Sequence, residues 1–167
     1  MPLPSKRIAI IGSFRQNYKE ILEAWTVFTE AGLEVTSPKG SPIIGEGIPF
    51  VRFQTDALNL NDNDIQSLAL HRILRAHLTY VVAPRGYIGN TTSYEIGRVI
   101  QAGHALYFSE TPKDLPIHVP SSHVIQPKAL MALLSASEWQ PGWIYDESNN
   151  ENYQLERELL DGIYRPD

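Results

Sequence analysis

Apolar positions along this chain fall into short runs whose period changes several times. KRIAII, Lys6 to Ile11, is a β-branched run closed by Gly12, the pattern of a buried strand entering a tight turn. From Asn17 to Ala31 the period lengthens, with Tyr18, Ile21, Leu22, Trp25 and Phe28 at helical spacing and Gly32 as a C-terminal stop. The extended run LEVTSP comes next. Residues 38 to 63, rich in glycine, proline and short polar side chains, then read as a long surface excursion. Helical spacing returns between Asp64 and His77, where Ile65, Leu68, Ala69, Ile73 and Ala76 form the predicted inward face. LTYVVAP is the next strand, Thr92 to Ala102 the next helix with Gly103 as its stop, and HALYFSE a fourth strand.

Strands alternating with helices in this way imply a parallel sheet covered on both faces. Right-handed crossovers then bring every strand-to-helix loop to one carboxyl edge, where open sheets bind ligands. Beyond the fourth strand, PKALMALLSASEW predicts a helix and QPGW a turn. NNENYQLERELLDGIY predicts an amphipathic helix after an asparagine cap. No internal repeat interrupts the pattern.

Composition narrows the class of function. A chain of 167 residues with 43% apolar and 20% charged content suits one globular domain. The formal charge of −5, with both signs interspersed, offers no footprint for a nucleic-acid polymer or an anionic membrane surface. Cysteine is absent, which removes disulfides, thiolate metal sites and cysteine nucleophiles and fits a reducing compartment. The start MPLPSKRIAIIGSF is too short an apolar run for a signal peptide, and no stretch of about 20 apolar residues suggests a membrane span. A soluble cytoplasmic protein is expected.

Two loops carry candidate chemistry. In GSFRQN, Gly12 and Ser13 let backbone N–H groups face outward at a helix N-terminus, which favours a phosphate or carboxylate, and Arg15 adds a bidentate fork. The alternative is an ordinary turn with Arg15 solvated. In PRGYIGNTTSYEIGRVIQAG, Thr92 to Glu95 spell T-x-x-E, a capping box in which the glutamate bonds the threonine N–H. The surrounding residues suggest more. Gly86 and Gly89 permit close backbone approach, and Asn90, Thr91, Thr92 and Ser93 offer many donors at the end of a central strand. A glutamate in the first helical turn also has its ionised form favoured by the helix dipole, as a carboxylate nucleophile requires. Tyr87 and Tyr94 flank the loop, either to orient Glu95, to stack on a base, or simply to pack. The histidines show no metal-ligand spacing, so neither a metal nor another cofactor is expected.

IAIIGSFR, LALHRILRAHLTYVVAP and GYIGNTTSYEIGRVIQAG together resemble the nucleoside 2-deoxyribosyltransferase superfamily, including its 2'-deoxynucleoside 5'-phosphate N-hydrolase branch, over roughly Ile8 to Glu110. The resemblance implies a Rossmann-like (flavodoxin-like) α/β fold over residues 1–137, a homo-oligomer, and a nucleophilic glutamate that aligns with Glu95. Residues 138–167 form a C-terminal extension of turn plus helix, packed on the same domain or on a neighbouring subunit. Gly12, Ser13, Arg15, Gly86, Tyr87, Gly89, Thr91 and Ser93 are the expected substrate-binding residues. His77 stands where many members have aspartate, and Val99 where many have a small residue. The acidic residue that handles the leaving base aligns near Ala69 and His71, where this chain has no carboxylate; Asp56, Asp62 and Asp64 are the nearby substitutes.

The expected activity is therefore cleavage or exchange of the N-glycosidic bond of a nucleoside or nucleotide through a glycosyl ester of Glu95. Two alternatives stand beside it. One is a nucleotide-sensing or interaction module that keeps the pocket without turnover. The other is a phosphoribohydrolase of the lysine-decarboxylase-like type, suggested by the partial likeness of RGYIGNTTSYE to P-G-G-x-G-T-x-x-E.

Overall fold

The computed structural model describes residues 6–38, 43–44, 52–53, 61–136, 138–147 and 153–167. Its main sheet contains β1 (Arg7–Gly12), β2 (Glu34–Ser37), β5 (Leu78–Val82) and β6 (Leu106–Phe108), in the order β2-β1-β5-β6. Every pairing is parallel. The short strands β3 (Ile43–Ile44) and β4 (Arg52–Phe53) form a separate antiparallel pair inside the expected surface excursion. The remainder of that excursion, including Asp56, lies outside the described residues.

Helices cover both faces, as the alternation of elements requires. Helices α1 (Tyr18–Glu30) and α4 (Pro127–Ser135) pack together on one side, and α2 (Asp62–Arg75) and α3 (Asn90–Gln101) on the other. The strands alternate between these layers with period two. Ile8, Ile10, Leu78, Tyr80 and Val82 join Ile21, Ala24 and Phe28 of α1, whereas Ala9, Ile11 and Val81 join Ile73 of α2 and Ile96 and Val99 of α3. Each fully buried Ile, Leu or Phe in these layers contributes about 1.5–3 kcal/mol relative to an exposed position. An uninterrupted apolar run such as β1 is what a strand buried on both faces requires.

Two helix faces differ in detail from the expectation. On α2, Leu68 is 37% exposed and Leu70 packs inward in its place. On α1, Tyr18 and Leu22 lie partly in solvent, Ala24 is buried, and Trp25 packs only half-buried against the core. The helices rest on a twisted sheet, so the stripe that meets it is set by crossing angle as well as by the count of apolar side chains. Helix α4 also stops at Ser135 instead of reaching Trp139, because Ala136 turns to an extended conformation with ψ 125°.

The segment after Trp139 packs into the same chain. Trp143 bridges to Ala105, and its indole N–H donates to the Ile100 carbonyl at 2.9 Å. Ile144 and Tyr145 are fully buried, with the Tyr145 hydroxyl donating to the His118 carbonyl at 2.8 Å. Helix α5 (Gln154–Leu160) follows and lies beside Gly103, where Leu160 makes contact, although no α5 residue is itself buried. The asparagine expected to cap this helix lies outside the described residues. Among the described residues no helix is long and apolar enough to cross a membrane.

Candidate functional site

The chain moves outward from β1 to β2, returns across β1, and then builds β5 and β6 on the other side. The direction of travel therefore reverses between β1 and β5. In open parallel sheets this reversal splays the loops that leave the two strands and opens a crevice at their carboxyl ends. The strands end level, with Gly12 paired to Val82. A Cβ on Gly12 would stand 2.8 Å from the Val82 carbonyl oxygen, so only glycine permits this approach.

The loops leaving β1 and β5 meet above that point. Gln16 donates its side-chain amide to the Tyr87 hydroxyl at 3.1 Å. The Cβ of Ser13 lies 3.9 Å from the position a Gly89 side chain would take, and the Tyr87 hydroxyl is equally close to it. At the head of α1, the Asn17 backbone N–H donates to the Ser13 carbonyl at 2.7 Å, closing the turn. Asn17 is 1% exposed, and among the described residues its Nδ2 has no hydrogen-bond partner. An unsatisfied buried donor costs about 1–3 kcal/mol, which marks this loop as unusual for a purely structural turn.

Helix α3 corrects the expectation for Glu95. The capping box is not formed, because the helix begins at Asn90 with Gly89 in the N-cap position. Thr92 is then the third helical residue, buried at 2% exposure, and cannot serve as the cap. The Ser93 hydroxyl and backbone N–H both donate to the Gly89 carbonyl, at 2.9 Å each. Glu95 becomes the sixth residue of the helix, in its second turn, beyond the strongest influence of the helix dipole.

The electrostatics of Glu95 follow from this placement. The side chain is 7% exposed, and burial pushes its carboxyl up from the ordinary value of 4.5 to about 7, partly opposed by a hydrogen bond from Gln66. That bond, from Gln66 Nε2 to Glu95 Oε2, measures 3.3 Å. Desolvation thus dominates, and Glu95 titrates near neutrality instead of being held ionised. A carboxyl shifted to this range, on a helix that starts at the carboxyl edge of a sheet, is the kind of perturbed group that gathers at functional sites.

The other expected site residues occupy varied environments. Ser13, Tyr87 and Gly89 come together around the loop contact described above. Thr91 is exposed on the first turn of α3, and Arg15 is exposed on the β1–α1 loop. Gly86, with φ 78°, has the space of its missing side chain taken by Lys113 and the Thr111 carbonyl, so it serves the packing of the loop after β6. Asp62 and Asp64 are exposed in the first turn of α2, and His71 is exposed farther along that helix. Gln66 and Asn17 were not legible as site residues. An isolated glutamine matches no motif, and an asparagine before a helix reads as a cap; the meeting of Gln66 with Glu95 depends on the packing of α2 against α3.

No protein-family model matches this chain, and no curated protein or solved structure shows significant similarity to it.

Proposed function

We propose that the protein cleaves or exchanges the N-glycosidic bond of a nucleoside or nucleotide, with Glu95 as the attacking carboxylate. The observation that carries this reading is Glu95 itself, a nearly buried carboxyl whose shift among the described residues is opposed only by an uncharged carboxamide, on the helix that follows β5 at the strand-order reversal. A buried carboxyl in such surroundings destabilises the fold when ionised, so its presence favours a chemical role. The resemblance of the loop and α3 sequence to the nucleoside 2-deoxyribosyltransferase superfamily supplies the substrate class.

In this mechanism an oxygen of ionised Glu95 attacks the anomeric carbon as the bond to the base breaks. The bonding pair leaves with the base, which takes up a proton, and a glycosyl ester remains on Glu95. Water resolves the ester in a hydrolase, and a second base does so in a transferase, both with net retention. Asp62 and Asp64, exposed in the first turn of α2, lie on the same helix as Gln66 and are candidates to assist the leaving base. Ser13, Tyr87 and Gly89 would hold the sugar and its 5' substituent, with Arg15 reaching an anion there.

The same resemblance extends the proposal to a homo-oligomer, and the absence of cysteine fits a reducing, cytoplasmic setting. Sedimentation of a monomer at micromolar concentration would remove the oligomer. Incubation with a panel of nucleosides and nucleotides, followed by chromatography for released base, tests the activity; adding a second free base separates exchange from hydrolysis. A specific observation favours one second reading, a nucleotide-binding module without turnover: α2 carries no carboxylate beside Ala69 and His71 to act as an acid toward the leaving base. Binding without base release from any member of the panel would select it.

A further inference from the structure

Glu95 has one hydrogen-bond donor among the described residues, and it arrives from a neighbouring helix. Helices α2 and α3 both start at the carboxyl edge and run back over the same sheet face, in contact with each other. Gln66 is the fifth residue of α2 and Glu95 the sixth of α3, so they lie at nearly equal depth, about one and a half turns from the edge. We propose that Gln66 is a positioning residue for Glu95, whose carboxamide pins Oε2 and leaves Oε1 as the attacking atom. This rests on the reading of Glu95 as a nucleophile.

The scaffold around Gln66 suits that role. The Asn61 side chain accepts the Asp64 backbone N–H at 2.8 Å and caps α2, while buried Ile65 and Ile73 fix the rotation of the helix. A carboxamide here offers an N–H without adding charge. A carboxylate of the same shape would set two acids against each other, and an apolar side chain would leave the buried carboxylate without its bond. Asp62 shares the Gln66 face of α2 one turn nearer the edge. On α3, Arg98 is bonded to the Tyr94 hydroxyl at 3.1 Å. The strands beneath α3 present Ala9, Ile11, Leu106 and Phe108 to the same core layer.

The experiment is an NMR titration of protein labelled with 13C at the glutamate carboxyl carbons, with Glu95 assigned by the signal missing from Glu95→Gln. Gln66→Leu is expected to move the Glu95 midpoint alkaline from about 7 by about one further pH unit. The acidic limb of the kcat/KM profile is expected to move with it, and kcat to fall more than KM changes. Gln66→Met, which keeps the length of the side chain without the donor, gives the same readout should Gln66→Leu fail to fold. A midpoint unchanged from wild type in a folded variant overturns the proposal. The titration needs no substrate, so a shifted midpoint in a protein that releases no base upholds the coupling of Gln66 to Glu95 while removing the glycosidase reading.

Discussion

Gln16 reaches from the loop after β1 to the hydroxyl of Tyr87 in the loop after β5, closing 3.1 Å across the point where the strand order reverses. The bond ties together two loops that also approach each other at Ser13 and Gly89. Tyr87→Phe removes it while keeping the ring. Because Gln16 is exposed, the expected loss of stability is at most about 1 kcal/mol in urea denaturation. Nucleotide affinity is expected to fall more, since the loops lose their fixed spacing. Equal affinity in isothermal titration would show that the spacing of these loops does not matter to binding.

Three glycines separate packing from conformational freedom. Gly12→Ala drives a Cβ to 2.8 Å from the Val82 carbonyl oxygen, and Gly86→Ala meets the Thr111 carbonyl at 2.7 Å in a left-handed backbone with φ 78°. Each is expected to destabilise the fold by about 1–3 kcal/mol. Gly97, exposed within α3, has nothing among the described residues outside its own helix within 4 Å of the added methyl group. Gly97→Ala is expected to stabilise by about 0.5–1 kcal/mol through helix propensity. Thermal melts of the three variants check the contrast.

The tail makes a further claim measurable by denaturation. Tyr145 is fully buried, and its ring lies 5.5 Å from Trp143 and 5.2 Å from Tyr153. Tyr145→Ala is expected to cost about 3–5 kcal/mol. Tyr145→Phe loses only the bond to the His118 carbonyl, about 0.5–1.5 kcal/mol. Similar losses for both would mean that the hydroxyl, and not the packed ring, anchors the segment.

Burial of Glu95 gives a pH dependence whose direction is fixed. Its folded value of about 7 exceeds the ordinary 4.5, so the folded protein binds this proton more tightly than the unfolded chain does. The favourable contribution is complete below about 4.5 and is lost as pH rises through about 7. At about 1.4 kcal/mol per pH unit, the displacement amounts to at most about 3–4 kcal/mol. Glu95→Gln cannot ionise. It is expected to match wild-type stability near pH 4 and to exceed it near pH 8, which melts at the two pH values compare directly.

The parallel sheet and its two helical layers were legible because the elements carry their own signals: a β-branched run ending at Gly12, helical spacing before Gly32 and Gly103, and a strict alternation of the two types. The placement of the candidate residues was legible in part. Gly12, Ser13, Gly89 and Glu95 sit in the loops and helix that fold topology brings to one edge, and that follows from chain order alone. The start of α3 was not legible. T-x-x-E satisfies the capping pattern locally, but Gly89 takes the N-cap and places Thr92 inside the helix. Nor was Gln66, whose meaning arises only from the packing of α2 against α3. Leu68 and Leu70 show the same limit, since both suit a helix and only contact with the sheet selects between them.

The central claim is that Glu95 forms a covalent bond to the sugar, and comparison of wild type with Glu95→Gln in the base-release assay tests it most directly. The carboxamide keeps nearly the same shape but cannot form the ester. Wild type is expected to release base from at least one nucleoside or nucleotide, with activity rising through about pH 7 as Glu95 ionises. The variant is expected to remain folded, to bind the same substrate, and to lose nearly all release. Turnover retained by a folded Glu95→Gln protein would contradict the account.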